Sequence, residues 1–262
     1  MTWVDADRRT VAGLVRDATV LAAVLDAAGH RLVRAPRRWL CPGDEVIVGV
    51  RVLPGVRVPV RVVVRAVGPA AVVVAARGLV LTTRLVPDGT GTAIRDEVSG
   101  RAGLLARLAP GLVDARTRGL VAAAEVLDGR PVVVATALVR DGAVLAAQRT
   151  RPPELAGRWE LPGGRVEPAE AEADAVVREC REELGCAVTP TGRVGTDLLI
   201  DAGVLRVHAA VPAAGPEPTA LEHAALRWVR PAELDAVDWI DADRAVLPDL
   251  RALLMARPAA TG

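Results

Sequence analysis

A proline and glycine loop joined directly to a charged helical stretch constrains this chain more than any other feature. Pro162, Gly163 and Gly164 cannot continue a strand, because proline lacks a backbone donor and glycine adopts angles that other residues avoid. Residues 169–184 are mostly Ala, Glu, Val, Arg and Leu, which favour a helix. Gly185 follows where a left-handed C-terminal cap is expected. The sequence therefore predicts a strand, a loop and a helix in that order.

Three glutamates fall on one face of this predicted helix. Glu179, Glu182 and Glu183 stand at positions i, i+3 and i+4, so their side chains lie about one turn apart. Unpaired carboxylates this close repel one another, whereas Mg²⁺ takes oxygen ligands and keeps substrate phosphates as partners. Arg178 and Glu170 can form an ion pair that leaves the other glutamates free to bind metal. The pattern predicts a metal and polyphosphate site, and the alternative is a solvated charged face.

The loop and helix together resemble the signature of the Nudix hydrolase family. Every fixed position of that signature is present, in the order Gly164-x5-Glu170-x7-Arg178-Glu179-Cys180-x-Glu182-Glu183-x-Gly185-Cys186. The two positions that the family fills with apolar residues are both cysteine here, and cysteine is small and buries well. The resemblance covers roughly residues 131–254. It implies an α/β/α sandwich built on a mixed sheet.

By this resemblance the chain is a hydrolase acting on phosphoric anhydride bonds. A metal-activated water attacks an internal phosphorus and yields a nucleoside monophosphate and pyrophosphate. The implied cofactor is Mg²⁺, for which Mn²⁺ can substitute. The implied metal ligands are Glu179, Glu182, Glu183, the Gly164 carbonyl and Glu222. The implied catalytic set is Glu179, Glu182, Glu183, Glu222 and Arg178, supported by Gly163, Glu170 and Gly185.

Glu222 and the substrate-binding residues admit more than one interpretation. Glu222 corresponds to a further metal ligand or a general base, or it is a plain surface acid. Arg149 ends a strand and suits phosphate oxygens, or it is an exposed strand-end arginine. Glu160 and Leu161 lead into the glycine loop and are assigned to substrate binding. Asp243 reads the base edge, accepting from an amino or ring N–H, or Asp241 or Asp243 caps the helix that follows.

The segments around the signature resemble the MutT-type branch of the family, which cleaves nucleoside triphosphates. They comprise residues 149–160, 226–229, 231–234 and 238–243. The first prediction is an 8-oxo-dGTP diphosphatase that sanitises the nucleotide pool, and CTP, dCTP or 5-methyl-dCTP is the competing substrate. A nucleotide sugar or another nucleoside diphosphate derivative is a further alternative. A different class of function is a hydrophobic-ligand binding protein with a regulatory Nudix half.

The first half of the chain predicts a separate α+β domain. Apolar residues alternate with arginine over 44–52 and 58–67, which is typical of half-buried antiparallel strands. Leucine spacing over 104–127 then predicts a long helix interrupted near Pro110. With the segment 90–98, this pattern resembles the helix-grip fold of the START-like polyketide cyclase superfamily (SRPBCC). The resemblance implies a hydrophobic ligand in an apolar cavity, or a partner or stability module if side chains fill that cavity.

We therefore predict three segments: a START-like domain over 1–127, a Nudix domain over 128–256 and a frayed tail over 257–262. A formal net charge of +1 argues against direct nucleic-acid binding and for a small-molecule nucleotide substrate. Arginine interrupts each long apolar run, so no membrane span is expected. Three cysteines and the lack of signal-peptide order predict a cytoplasmic protein without a disulfide framework.

Overall fold

The computed structural model describes residues 2–100, 116, 118–127 and 129–256. The chain divides into two compact units. Unit 1 comprises Met1–Arg130 and Thr196–Leu199, and unit 2 comprises Pro131–Gly195 and Ile200–Gly262. The helix predicted before residue 116 and the tail predicted over 257–262 lie outside the described residues. Among the described helices, none combines the length and the hydrophobicity that crossing a bilayer requires.

Unit 1 contains a seven-stranded antiparallel sheet. Its strands are β1 (Thr2–Val4), β2 (Arg31–Arg34), β3 (Glu45–Leu53), β4 (Val56–Gly68), β5 (Ala71–Ala76), β6 (Leu79–Asp88) and β7 (Gly91–Gly100). Their order in the sheet is β1-β7-β6-β5-β4-β3-β2. Every neighbouring pair is antiparallel, so the predicted antiparallel sheet is confirmed.

Helical segments pack on this sheet. They are α1 (Arg8–Arg16), α2 (Ala18–Ala27) and α3 (118–127). The Asp7 and Asp17 side chains cap α1 and α2, accepting from the backbone N–H groups of Arg9 and Thr19 at 2.6 and 2.8 Å. Neither α1 nor α2 was predicted. A core cluster joins α1 and α3 to β6 and β7 through Val11, Leu14, Leu85, Ile94 and Leu120.

Gly91 begins β7 at the place where β1 pairs with that strand. A Cβ atom at Gly91 would lie 2.4 Å from the Val4 carbonyl oxygen and 2.5 Å from the Trp3 ring. Real side chains do not tolerate such approaches, so the backbone of β1 and the indole require glycine here. Gly68, at the end of β4, has only one neighbour within reach, the Ala71 carbonyl oxygen at 3.9 Å.

We expect Gly91→Ala to lower the free energy of unfolding of unit 1 by about 1 to 3 kcal/mol, because the added methyl group overpacks the β1–β7 contact. Gly68→Ala is the matched control, since it adds the same methyl group in open space and should stay within about 0.5 kcal/mol of the parent. Urea denaturation followed by circular dichroism measures both variants. Equal stability of the two variants would contradict the packing argument.

Unit 2 is built on a mixed sheet. Its strands are β8 (Val132–Arg140), β9 (Ala143–Gln148), β10 (Trp159–Glu160), β11 (Val188–Ile200), β12 (Gly203–Pro212) and β13 (Ala225–Val229). The order is β10-β9-β8-β12-β11, and β13 pairs with β9. Strand β12 runs parallel to β8, whereas β10, β13 and β8 are antiparallel to β9. The predicted α+β fold with a mixed sheet is confirmed.

The helices of unit 2 are α4 (Glu172–Leu184), α5 (Asp241–Arg244) and α6 (Leu247–Met255), with a 3-10 turn over Leu234–Ala236. The predicted start of α4 at residue 169 was too early. Ala169 has a φ of +64°, so the chain still turns there before the helix begins. Gly185 ends α4 with a φ of 64° in the left-handed region, as predicted, and its N–H donates to the Arg181 carbonyl.

The apolar face of α4 packs on the sheet. Ala175, Val176, Cys180 and Leu184 belong to one core cluster with residues of β8 and β9. Cys180 is fully buried, and burial raises the pKa of its thiol to about 12. Cys186 is also buried, and none of the three cysteines forms a disulfide. Cysteine at the two apolar positions of the signature therefore packs as a small hydrophobic residue.

Candidate active site

The glycine loop is fixed to β8 by backbone hydrogen bonds. The Thr136 N–H donates to the Pro162 carbonyl at 2.7 Å, and the Val134 N–H donates to the Gly164 carbonyl at 2.9 Å. Gly163 has a φ of +153°, and a Cβ there would lie 2.1 Å from the Val134 carbonyl oxygen. Only glycine lets the loop approach β8 this closely.

Two glutamates of α4 lie directly against this loop. The Glu183 Oε2 atom accepts the Gly163 N–H at 3.0 Å. The carboxylate of Glu179 lies beside Gly164, where an added Cβ would come within 2.3 Å of Oε1. The missing side chain of Gly164 thus makes room for the Glu179 carboxylate, whereas that of Gly163 makes room for the backbone of β8.

Arg178 donates hydrogen bonds to the carboxylates of Glu170, Glu179 and Glu182. Its guanidinium forms a bidentate ion pair with Glu170. Nε lies 2.8 Å from Oε1, and Nη2 lies 2.9 Å from Oε2. This is the predicted ion pair. The prediction that this pair leaves the other glutamates free was wrong for Glu179 and Glu182, because Nη1 also donates to Glu179 at 2.8 Å and to Glu182 at 3.2 Å. A guanidinium has five donors, so one arginine can serve all three acids.

The electrostatic environments of these acids differ. Hydrogen bonding from Arg178 holds the pKa of Glu170 at about 2. Burial raises the pKa of Glu179 in spite of its Arg178 partner. Burial also raises the pKa of Glu183 to about 7, against the opposing charge of His223 and the hydrogen bond from Gly163. The two acids that touch the glycine loop are thus the ones in which burial disfavours the charged form.

The donor set at the loop fits a hard divalent cation. Within the residues that the structure describes, no three His, Cys, Asp or Glu side chains are already grouped as a metal site. Glu179 and Glu182 are both hydrogen-bonded to Arg178. The Glu182 carboxylate is about half exposed, at 53%, and a rotation of this side chain would release it. Carboxylates beside a backbone carbonyl are oxygen ligands of the kind that Mg²⁺ takes.

A second network lies beside the loop and includes a residue that was not predicted. Arg149 pairs with Glu160, and the other Glu160 oxygen, Oε1, is 3.2 Å from His223 Nε2. Burial disfavours the charged His223, but Glu160 and Glu183 outweigh it and raise the His223 pKa. The Arg149 side chain is 24% exposed, so the interpretation as an exposed strand-end arginine is wrong. His223 had no sequence signal beyond its place next to Glu222.

Glu222 lies on the surface of unit 2. Its carboxylate is 50% exposed, and Oε2 is 3.4 Å from a guanidinium nitrogen of Arg151. Its backbone carbonyl accepts a hydrogen bond from the Thr150 hydroxyl at 3.2 Å. This loop therefore contacts the segment after β9, and the Glu222 side chain faces Arg151.

Asp243 is buried at the start of α5 and contacts the glycine loop. The helix begins after Ile240, which makes no side-chain cap, so the interpretation of Asp243 or Asp241 as an N-cap is wrong. The Asp243 Oδ2 atom accepts the Leu161 N–H at 2.8 Å. Burial raises the pKa of Asp243 to about 7, against the effect of that hydrogen bond. Two residues assigned to substrate binding, Leu161 and Asp243, are thereby joined.

Comparison with known proteins identifies the second half of the chain. The NUDIX domain family matches residues 129–250. A protein of Mycobacterium tuberculosis (strain ATCC 25618 / H37Rv), named "Putative 8-oxo-dGTP diphosphatase 2", is 50% identical over 122 residues, which are 45% of this chain and 86% of that protein. The chain belongs to the Nudix family. The family prediction is confirmed, and with it the prediction of a hydrolase that acts on phosphoric anhydride bonds.

Other Nudix relatives align over the same half. The CTP pyrophosphohydrolase of Escherichia coli (strain K12) is 41% identical over 129 residues, covering 48% of this chain and 96% of that protein. The solution structure of the E. coli ORF135 protein aligns at 38% identity with a TM-score of 0.43, covering 50% of this chain and 94% of that one.

The Nudix residues predicted from the sequence fall into separate groups in the fold. One network joins the loop to α4 through Gly163, Gly164, Glu170, Arg178, Glu179, Glu182 and Glu183. Arg149 and Glu160 form the second group with His223. Leu161 and Asp243 form the third, and Glu222 pairs with Arg151 outside all three.

We expect the stability of Asp243→Asn relative to the parent to rise with pH. The folded pKa of about 7 lies above the ordinary value of 3.8, so between about pH 4 and pH 7 only the unfolded carboxyl ionises. Ionisation therefore favours unfolding, and the parent loses at most about 1.4 kcal/mol per pH unit in that window. The asparagine oxygen still accepts from Leu161 and does not titrate.

The measurement is the free energy of unfolding of parent and Asp243→Asn from urea titrations between pH 4 and pH 8. The difference between the two proteins isolates Asp243 from other titrating groups. A difference that stays constant over this range would show that folding does not raise the pKa of the Asp243 carboxyl.

Proposed function

We propose that this protein is a Mg²⁺-dependent Nudix hydrolase that cleaves nucleoside triphosphates to monophosphate and pyrophosphate. The substrate that we favour is 8-oxo-dGTP. The observation that carries the proposal is the arrangement of α4 against the glycine loop. Glu179 and Glu183 contact Gly164 and Gly163, and Glu182 lies one turn away on the same face. The M. tuberculosis relative named for 8-oxo-dGTP supports the substrate.

The proposed metal ligands are Glu179, Glu182 and Glu183, with the Gly164 carbonyl and Glu222 as further candidates. Bound Mg²⁺, or Mn²⁺ in its place, supplies charge neutralisation of the polyphosphate and a lowered pKa for bound water. Arg178 has a positioning role, since it holds Glu179 beside the loop and connects the loop acid Glu170 to the helix. Gly185 ends the helix in the left-handed conformation and so fixes its length.

Arg149 and Glu160 are proposed to orient the substrate beside the loop. Their ion pair stands next to the buried imidazole of His223, which faces Glu183. A guanidinium in this place suits phosphate oxygens, because its donors are fixed in a plane. His223 and Glu160 then keep the Arg149 side chain in its position.

Asp243 is proposed to select the base. Its Oδ2 atom accepts the Leu161 N–H, which leaves the other oxygen for the substrate. An 8-oxo-purine carries an added N–H on its five-membered ring, whereas an ordinary guanine has an acceptor there. The cytosine amino group is also a donor, so CTP, dCTP or 5-methyl-dCTP is the competing substrate, supported by the relative named CTP pyrophosphohydrolase.

Residues 1–127, 128–256 and 257–262 are proposed as a START-like domain, a Nudix domain and a tail. The strand order of unit 1 supports the first assignment. An apolar cavity in unit 1 supports a hydrophobic ligand there. The three free cysteines support a cytoplasmic location.

We expect Glu182→Gln to reduce pyrophosphate release from 8-oxo-dGTP by about a hundredfold in the presence of Mg²⁺. The amide keeps the shape of the side chain but removes the charge that binds the cation. Glu217→Gln is the control, since Glu217 is a 77% exposed acid of the same unit, paired with Arg140. It should retain full activity, and chelation of Mg²⁺ should abolish the activity of parent and control alike.

Pyrophosphate release ranks 8-oxo-dGTP, dGTP, CTP, dCTP and 5-methyl-dCTP, and release of phosphate esters is measured for ADP-ribose, which yields no pyrophosphate. Release of phosphate esters from ADP-ribose alone would replace the triphosphate proposal with a nucleoside diphosphate derivative. Equal activity of parent and Glu182→Gln would refute the assignment of Glu182.

We expect Asp243→Asn to lose selectivity for bases that present an N–H. The asparagine oxygen remains with the Leu161 N–H, so its amino group faces the base and can only donate. The ratio of kcat/KM for 8-oxo-dGTP over dGTP should fall by about tenfold or more, as loss of a hydrogen bond implies. An unchanged ratio, with both substrates equally slowed, would show that Asp243 supports the loop and does not read the base.

A further inference from the structure

The segment that leads into α5 is bound to the backbone of β10. The Trp159 N–H donates to the Asp238 carbonyl at 2.9 Å, and the Ile240 N–H donates to the Trp159 carbonyl at 2.8 Å. Strand β10 is followed at once by Leu161 of the glycine loop, and α5 carries Asp243. These backbone bonds therefore bring the start of α5 to the side of the glycine loop.

Arg158, the residue before β10, adds side-chain bonds to the same contact. Its Nη2 atom donates to the Trp239 carbonyl at 2.5 Å and to Asp241 Oδ1 at 2.8 Å. Its Nε atom lies 3.6 Å from Asp238 Oδ1. The carboxylates of Asp238 and Asp241 are 68% and 80% exposed, and ion pairs with exposed acids contribute little. The bond to the Trp239 carbonyl is thus the one that fixes the backbone.

A second arginine binds the same carbonyl group from within α5. Arg244 Nη2 lies 3.3 Å from the Trp239 carbonyl oxygen and 3.1 Å from Asp238 Oδ1. These bonds of Arg244 stay within one stretch of chain, residues 238–244. Arg158 differs from it, because its guanidinium joins that stretch to β10.

The position of Asp243 depends on this contact. Asp243 is buried, and its Oδ2 atom accepts the Leu161 N–H at 2.8 Å. The other oxygen must lie within about 3 Å of an N–H of the base to accept from it. A displacement of about 1 Å is enough to lose such an interaction. A residue that holds α5 beside β10 therefore controls whether Asp243 meets the base.

We propose that Arg158 is a positioning residue for base selection, which holds α5 against β10 so that Asp243 accepts from the N–H of the base. The inference rests on the proposed base-selecting role of Asp243, and it adds the residue that sets the place of that carboxylate. Arg158 acts through Asp243 and not through a contact with the nucleotide.

The test uses the full chain with Mg²⁺ and two pairs of nucleotides. 8-oxo-dGTP carries a ring N–H where dGTP has an acceptor, and CTP carries an amino group where UTP has an acceptor. Within the pair that the parent discriminates, we expect Arg158→Gln to lower the ratio of kcat/KM about tenfold. The KM of the N–H-bearing nucleotide should rise, with its kcat within about twofold of the parent.

A double variant separates positioning from a general effect on the structure. If Arg158 acts through Asp243, adding Arg158→Gln to Asp243→Asn causes no further loss of selectivity. Arg227→Gln is the matched control, since Arg227 donates to Glu233 at 2.6 Å on the surface of the same unit. This control should keep the selectivity of the parent.

Arg158→Lys keeps a donor for the Trp239 carbonyl and should lose only about threefold in selectivity. Circular dichroism checks that each variant folds, and the lysine variant carries the comparison if Arg158→Gln does not fold. Full selectivity in the Arg158 variants, or an equal loss of kcat/KM for both nucleotides of a pair, would overturn the role of Arg158 and leave the proposed hydrolase intact. A parent protein that hydrolyses none of the four triphosphates would overturn the proposed function and this inference together.

Discussion

The arrangement of the active site depends on the hydrogen bonds that the Arg178 guanidinium donates. Its donors reach both oxygens of Glu170, one oxygen each of Glu179 and Glu182, and the Arg165 carbonyl. A lysine at this position would offer a single ammonium and could not bridge these groups in one plane. Arg178 ties the helix closely to the loop. Both loop positions must therefore be glycine, because a side chain there would collide with the neighbouring carboxylate or backbone.

The local parts of this site could be predicted from the sequence. Fixed spacing determines which residues share a helical face, so the face of α4 and the pair of Arg178 with Glu170 followed from the residues alone. The additional bonds of Arg178 to Glu179 and Glu182 did not, because they depend on the rotamers chosen in the packed protein. His223 meets Glu160 across 63 positions of the chain, and no local pattern encodes such a contact.

In unit 1, strands were easier to predict than helices. Valine and arginine alternate along β3 and β4 with the period of a pleated strand. Helix α2 is composed mainly of alanine, valine and leucine and lacks a polar face that would mark it as helical. The available signals were Asp7 and Asp17, each followed by a helix whose first backbone N–H groups it caps.

The burial of Cys180 has a consequence for redox chemistry. With a thiol pKa of about 12, the fraction of thiolate at neutral pH is on the order of one in a hundred thousand. The thiolate is the form that peroxides and alkylating agents attack. The helix that carries the carboxylates of the active site thus holds its one sulfur atom buried in the core, as a neutral and unreactive thiol. Peroxides therefore find no reactive sulfur on α4, whose one cysteine is Cys180.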